Sequence, residues 1–307
     1  MNQNVVDIRL IAFTLKMHYG RIDSTKIILC VWVFVFFYER YQNCYQMISK
    51  LLRIVILTSF AACLLFQPLE INSTNKTQFE ELKLSKQNLD FLMRFYPKVK
   101  NELTKIEDDR RLIVWLKSKY FISFHLGNYY LWLRHTADKY RMGNDFFTRQ
   151  MSEEEFQLKM DSLLKRVDVI PERLVIAQAI LESGWGNSRL ATEANNYFGM
   201  RCFSPDCGIP PYGIENPDYW HRRYNLPEES IADYLLNINT LKVYEKFRTT
   251  RQSIRKSGGE PTAEELVEAL GGYSETGETY VSLLKDVIKF YLPENMEIFL
   301  NQSIATN

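Results

Sequence analysis

Apolar side chains recur at helical spacing through most of the chain from residue 85 onward. Leu89, Leu92, Met93 and Tyr96 share one face before Pro97, and Leu103, Ile106, Leu112, Trp115, Leu116 and Tyr120 continue it. A further helix is expected over 128–140, with Trp132 and Leu133 inward. Ser152-x-x-Glu155 reads as a capping box opening a helix over 153–167, with Phe156, Met160, Leu163 and Leu164 inward. From Leu174 to Leu181 only Gln178 is polar, so a helix there has almost no face for water. Pro171 suits its first turn, and Gly184 and Gly186 suit its exit. Gly and Pro are dense over 204–224, which predicts a loop or short hairpin. Helices follow over 230–244, over 263–270 behind Thr262-x-x-Glu265, and over 279–291. The pattern predicts a mainly α fold with a small β element and no internal repeat.

The residues before 85 follow another rule. Residues 54–66 are uncharged and apolar, preceded by Lys50 and Arg53. With Met47 as an internal start, 47–66 has the basic and apolar regions of a signal peptide, and 1–46 would precede the natural start. A second short run, 27–38, keeps open a reading with two membrane segments. Phe60-Ala61-Ala62-Cys63 gives a poor lipoprotein box. The organisation expected is a hydrophobic targeting or anchor region over 1–66, a polar linker over 67–84, a helical segment over 85–150, the main domain over 151–293 and a tail over 294–307. Two glycosylation sequons, at Asn72 and Asn75, matter only in a eukaryotic secretory route.

Composition then removes several classes. A net charge of +1 over 307 residues leaves no polyanion-binding footprint, so no nucleic-acid partner is expected. There is no GxGxxG, P-loop or HExxH pattern, and His18, His125, His135 and His221 are scattered; neither a nucleotide, a cofactor nor a metal site is expected. Cys30, Cys44 and Cys63 lie in the apolar N-terminal region. Cys202 and Cys207 bracket Phe-Ser-Pro-Asp, a spacing unlike a zinc site; in an exported domain they would close a small disulfide loop, and in a reducing cytosol they would be small buried residues.

Glu182 is the candidate for chemistry. It ends the apolar helix, at the negative end of the helix dipole and beside apolar bulk, and both effects favour its acid form. A solvated helix-end glutamate would fit the same electrostatics, so the surrounding residues decide. Ala177-Gln178-Ala179, then the run Leu181-Glu182-Ser183-Gly184-Trp185-Gly186-Asn187-Ser188, then Asn195-Asn196-Tyr197-Phe198-Gly199-Met200, resemble the glucosaminidase family of bacterial peptidoglycan hydrolases, the flagellar-hydrolase and autolysin type. Arg166-Val167-Asp168 before Ile170-Pro171, and Met200-Arg201-Cys202-Phe203 with Cys207-Gly208, resemble its Bax-type members. The likeness extends loosely over roughly 85–291.

The resemblance implies a lysozyme-like domain of the endo-β-N-acetylglucosaminidase type. Such an enzyme cleaves β-1,4 bonds of N-acetylglucosamine-containing glycan, above all peptidoglycan, with Glu182 as general acid. Tyr273, in Gly272-Tyr273-Ser274, matches the family's cleft tyrosine, with a core aromatic as the other reading. Tyr197 and Asn196 join it as candidate sugar contacts, although Asn195 and Asn196 suit side-chain bonds that hold their own loop better than contacts to sugar. Trp185 and Phe198 read as core. The second carboxylate is open: residues 204–223 offer Glu215 first, then Asp218 and Asp206, but the Glu expected after a His near Tyr224 is missing, and the substrate's acetamido group could replace it. A lytic transglycosylase and an inactive membrane-tethered glycan-binding protein are the rival functions. The setting implied is the bacterial periplasm or cell envelope, with the N-terminal segment as the membrane contact.

Overall fold

The computed structural model describes residues 82, 84–120, 127–273 and 277–305. The apolar runs 27–38 and 54–66, the linker up to 81 and Ser274 lie outside the described residues, and everything below concerns the described ones.

Helix α1 (Lys86–Lys117) opens at Ser85, whose hydroxyl accepts from the Asn88 amide at 3.2 Å. It runs through Pro97 without a break. Pro97 lies on the exposed side, and the buried stripe of Phe91, Leu92, Phe95, Tyr96 and Val99 passes beneath it uninterrupted. Helices α2 (Gly127–Lys139) and α3 (Glu153–Arg166) follow. Ser152 caps α3 at the Glu155 amide, 3.2 Å away, but the Glu155 carboxylate turns to Lys159 at 3.0 Å, so only half of the expected capping box forms.

Helix α4 (Glu172–Ser183) is the centre of the fold. Leu174 through Ile180 are all buried, and the helix packs against α1 and, later in the chain, against α9 (Glu278–Tyr291). Its start is pinned by Asp168, which is 2% exposed and receives Arg110, Arg251 and Arg255 at 3.5, 3.4 and 2.8 Å. Arg251 is itself fully buried; burial pushes its guanidinium down to about 10, which leaves it charged at neutral pH. After the short α5 (Arg189–Ala194) comes the β element: β1 (Arg201–Cys202), β2 (Gly208–Ile209) and β3 (Trp220–Arg222), antiparallel in the order β1-β3-β2. Arg201 and Ile209 both face His221 across the central strand. Gly208 is obligatory, because a Cβ there would sit 1.9 Å from the His221 carbonyl oxygen.

Helices α6 (Pro227–Thr240) and α7 (Glu245–Lys256) are followed by α8 (Ala263–Leu266). Thr262 and Glu265 form a complete capping box on α8, which tightens into a 3₁₀ turn over Val267–Leu270. Then come α9 and α10 (Met296–Ala305). The mainly helical expectation with a small β element is what the structure has, and residues from α1 to α10 contribute to one core.

Candidate active site

The exit of α4 aims Glu182. Gly184, Trp185 and Gly186 are successive left-handed residues with φ of 56°, 58° and 75°. The Gly184 and Trp185 amides bond the Ile180 carbonyl, and the Gly186 amide donates to Ser183 Oγ at 2.8 Å. A left-handed tryptophan is strained, and it is held by its ring, which packs edge-on against Phe91 and Tyr291. Trp185 thus belongs to the core, as does Phe198, which stacks on Tyr234 at 4.0 Å.

Glu182 lines a cleft of about 810 Å³ together with Gly199, Tyr244 and Tyr273. Burial pushes its carboxyl above the usual carboxylate range, and a hydrogen bond from the Tyr280 hydroxyl opposes the rise. That hydroxyl is itself fixed: it accepts from Gln178 Nε2 at 3.1 Å, while Gln178 Oε1 accepts from Tyr234. The one polar residue of the apolar helix therefore orients Tyr280, and through it Glu182. Gly199, with φ of 66°, lies over the carboxylate; a Cβ there would be 3.9 Å from Glu182 Oε2, so bare backbone keeps the acid open.

Tyr273 lines the cleft and also packs against the core. Its ring lies flat on Tyr280 at 5.3 Å and its hydroxyl donates to the Phe198 carbonyl at 3.3 Å. Tyr244 completes the aromatic side; burial first, then the charge of Glu182, pushes its hydroxyl up to about 12, so it remains a neutral hydrogen-bonding group.

Two candidate sugar contacts fall elsewhere. Asn196 is 1% exposed and spent on its own loop: Nδ2 donates to the Met200 and Arg222 carbonyls at 2.8 and 2.9 Å, and Oδ1 accepts from the Met200 amide at 2.9 Å. Tyr197 turns to α1, 4.7 Å from Phe95, and does not line the cleft. Tyr197 is thereby a correction, its ring being packed among the α1 aromatics, whereas Asn196 has the loop role that its residue type favoured. Asn195 holds the Tyr224 and Asn225 carbonyls at 3.1 Å each, a loop role as expected.

The 204–223 excursion also departs from expectation. Glu215, Asp218 and Asp206 are exposed and none lines the cleft. Arg189 donates to the Pro210 carbonyl at 2.7 Å, tying the excursion to α5, and Cys202 and Cys207 are joined by a disulfide with Cα atoms 6.2 Å apart. The second carboxylate at the cleft is Asp233 on α6, which accepts from the Tyr224 hydroxyl at 2.6 Å and pairs with Arg222 at 3.7 Å. Asp233 and Asn237 stand at i and i+4 on this helix, and both line the cleft. Among the described residues no group of three His, Cys, Asp or Glu side chains converges as a metal site would require.

A half-buried acid and an ion-paired carboxylate in one aromatic cleft can protonate a leaving oxygen and meet developing positive charge, the needs of glycoside cleavage. Residues 159–292 match the glucosaminidase family model, described as mannosyl-glycoprotein endo-beta-N-acetylglucosaminidase. That match takes in less than half of the chain, and it supports a glycosidase domain there. It is similar to Protein bax of Escherichia coli (strain K12), 37% identical over 128 residues, 42% of this chain and 45% of that one. It is also similar to the exo-glucosaminidase LytG of Bacillus subtilis (strain 168), 46% identical over 54 residues, 16% of this chain and 19% of that one. The matches thus span less than half the length of either relative. No solved structure matches the chain significantly.

Proposed function

We propose that residues 151–293 hydrolyse β-1,4 bonds of N-acetylglucosamine-containing glycan, with peptidoglycan as the substrate and Glu182 as general acid. The observation that carries this reading is the half-buried Glu182, its acid form favoured by burial, at the floor of an aromatic cleft. A general acid has to hold its proton near neutral pH, and this environment supports that. Glu182 protonates the glycosidic oxygen as the bond to the anomeric carbon lengthens. Tyr273 and Tyr244 offer flat apolar surface to the sugar. The positive charge at the ring is met by Asp233 or by the substrate's own acetamido oxygen. The segment 85–150 serves as a helical buttress.

The Cys202–Cys207 disulfide favours an oxidising compartment, so the proposal includes export to the cell envelope, with the apolar N-terminal residues as signal or anchor. Mass spectrometry of fragments released from purified peptidoglycan tests the reading. The expected products carry reducing-end N-acetylglucosamine, and their size separates mid-chain from terminal cleavage. Anhydro-sugar ends would assign lytic transglycosylation instead, and no release would leave a binding protein.

A further inference from the structure

Three of the residues that line the Glu182 cleft are arginines. Arg141 comes from the turn after α2, Arg201 from β1 and Arg222 from β3, and all three are exposed and line the same cleft. The whole chain carries a net charge of only +1, so this concentration is local and not a by-product of a basic protein. Against three guanidinium groups the cleft sets Asp233, and Glu182, whose burial favours the neutral form.

Each arginine is held without being used up. Arg141 has a left-handed backbone at φ 57°, a conformation side chains rarely take. It is kept there by Arg166, which donates to the carbonyls of Tyr140 and Arg141 at 2.7 and 2.9 Å, and its own guanidinium is steadied by Asn237 Oδ1 at 2.8 Å. Strain of this kind persists where the surroundings impose it, and here it delivers a cation to the lip of a cleft. The Arg201 guanidinium lies 4.2 Å from the centre of the Tyr219 ring, a cation–π contact that supports it without using a carboxylate. Arg222 meets Asp233 at 3.7 Å, an ion pair longer than a hydrogen bond.

We infer that Arg141, Arg201 and Arg222 form a subsite for a carboxylate carried by the glycan, and so make the cleft selective for acidic over neutral N-acetylglucosamine polymers. A guanidinium fork matches a carboxylate in both geometry and charge, whereas a neutral sugar polymer brings no charge to offset three cations set against Asp233. The inference rests on the proposed glycan-cleaving reading of the same cleft, and names the chemistry its substrate brings.

The test uses three soluble glycans: a neutral β-1,4 N-acetylglucosamine oligomer, one with a sugar-linked carboxylate and no peptide, and one with peptide-borne carboxylates. For Arg141→Gln and Arg201→Gln the ratio of kcat/KM on acidic to neutral glycan is expected to fall about tenfold, the usual scale for a lost charged hydrogen bond. Whichever acidic probe shows the fall identifies the source of the carboxylate. Calorimetric binding of the three probes to Glu182→Gln reads the same preference without turnover, so failure of catalysis and failure of this inference are distinguishable. Equal affinity for neutral and acidic probes, or arginine variants that leave the ratio unchanged, would overturn it.

Discussion

Tyr280→Phe removes a single oxygen and acts in two directions at once. Gln178 is fully buried, and its Nε2 donates to that oxygen at 3.1 Å. Without it a buried amide donor has no partner, which costs about 1–3 kcal/mol. For a domain of this size that lowers Tm by about 2–4 °C per kcal/mol. The second effect is electrostatic. The Tyr280 hydroxyl is the group that opposes the desolvation of Glu182, so its loss lets the carboxyl rise further. Catalysis by an acid declines as pH rises through its pKa, so the alkaline limb of the kcat/KM profile should move to higher pH in Tyr280→Phe. The assays are thermal unfolding and pH-rate profiles on a soluble glycan. A limb that stays at its wild-type position, or moves to lower pH, would refute the Gln178–Tyr280–Glu182 relay even if Tm falls.

Glu215→Gln, Asp218→Asn and Asp206→Asn should retain near-wild-type turnover, because all three are exposed outside the cleft. Asp233→Asn should lose at least about tenfold if it meets the charged transition state, and little if the substrate acetamide does so; rates on one peptidoglycan preparation decide. Asp168→Ala strands three arginines around a buried site and should cost about 3–5 kcal/mol in urea unfolding, against almost nothing if the cluster is merely solvated. The exported protein isolated without reductant should show no thiol labelling at Cys202 or Cys207. Replacing both with Ser should cost about 2 kcal/mol, the loop-closure value for so short a ring.

The helices were legible in the sequence wherever one stripe of apolar residues had to be buried. The all-apolar 174–181 run placed the central helix, and with it Glu182, because no face of it could be solvated. Gly184 and Gly186 marked its exit for the same local reason, their positive φ. What failed was decided by neighbours distant in sequence. Tyr197 went to Phe95 and not to the cleft. Glu215 was carried off by an excursion anchored through Arg189 and the disulfide, neither of which spacing alone could orient. The arginine wall was invisible because its members come from three separate elements.

The central claim is that Glu182 delivers the proton, and its isosteric replacement tests it most directly. Since burial raises the folded pKa above the unfolded one, the stability tied to this proton is present at low pH and lost as pH rises through the raised value. Glu182→Gln escapes that loss, so at neutral pH it should unfold no more readily than wild type, and any inactivity is then not misfolding. The measurement is turnover of peptidoglycan by Glu182→Gln beside wild type at the wild-type pH optimum. The account predicts a fall of at least about a hundredfold with the fold intact. A folded Glu182→Gln that cleaves at the wild-type rate would contradict it.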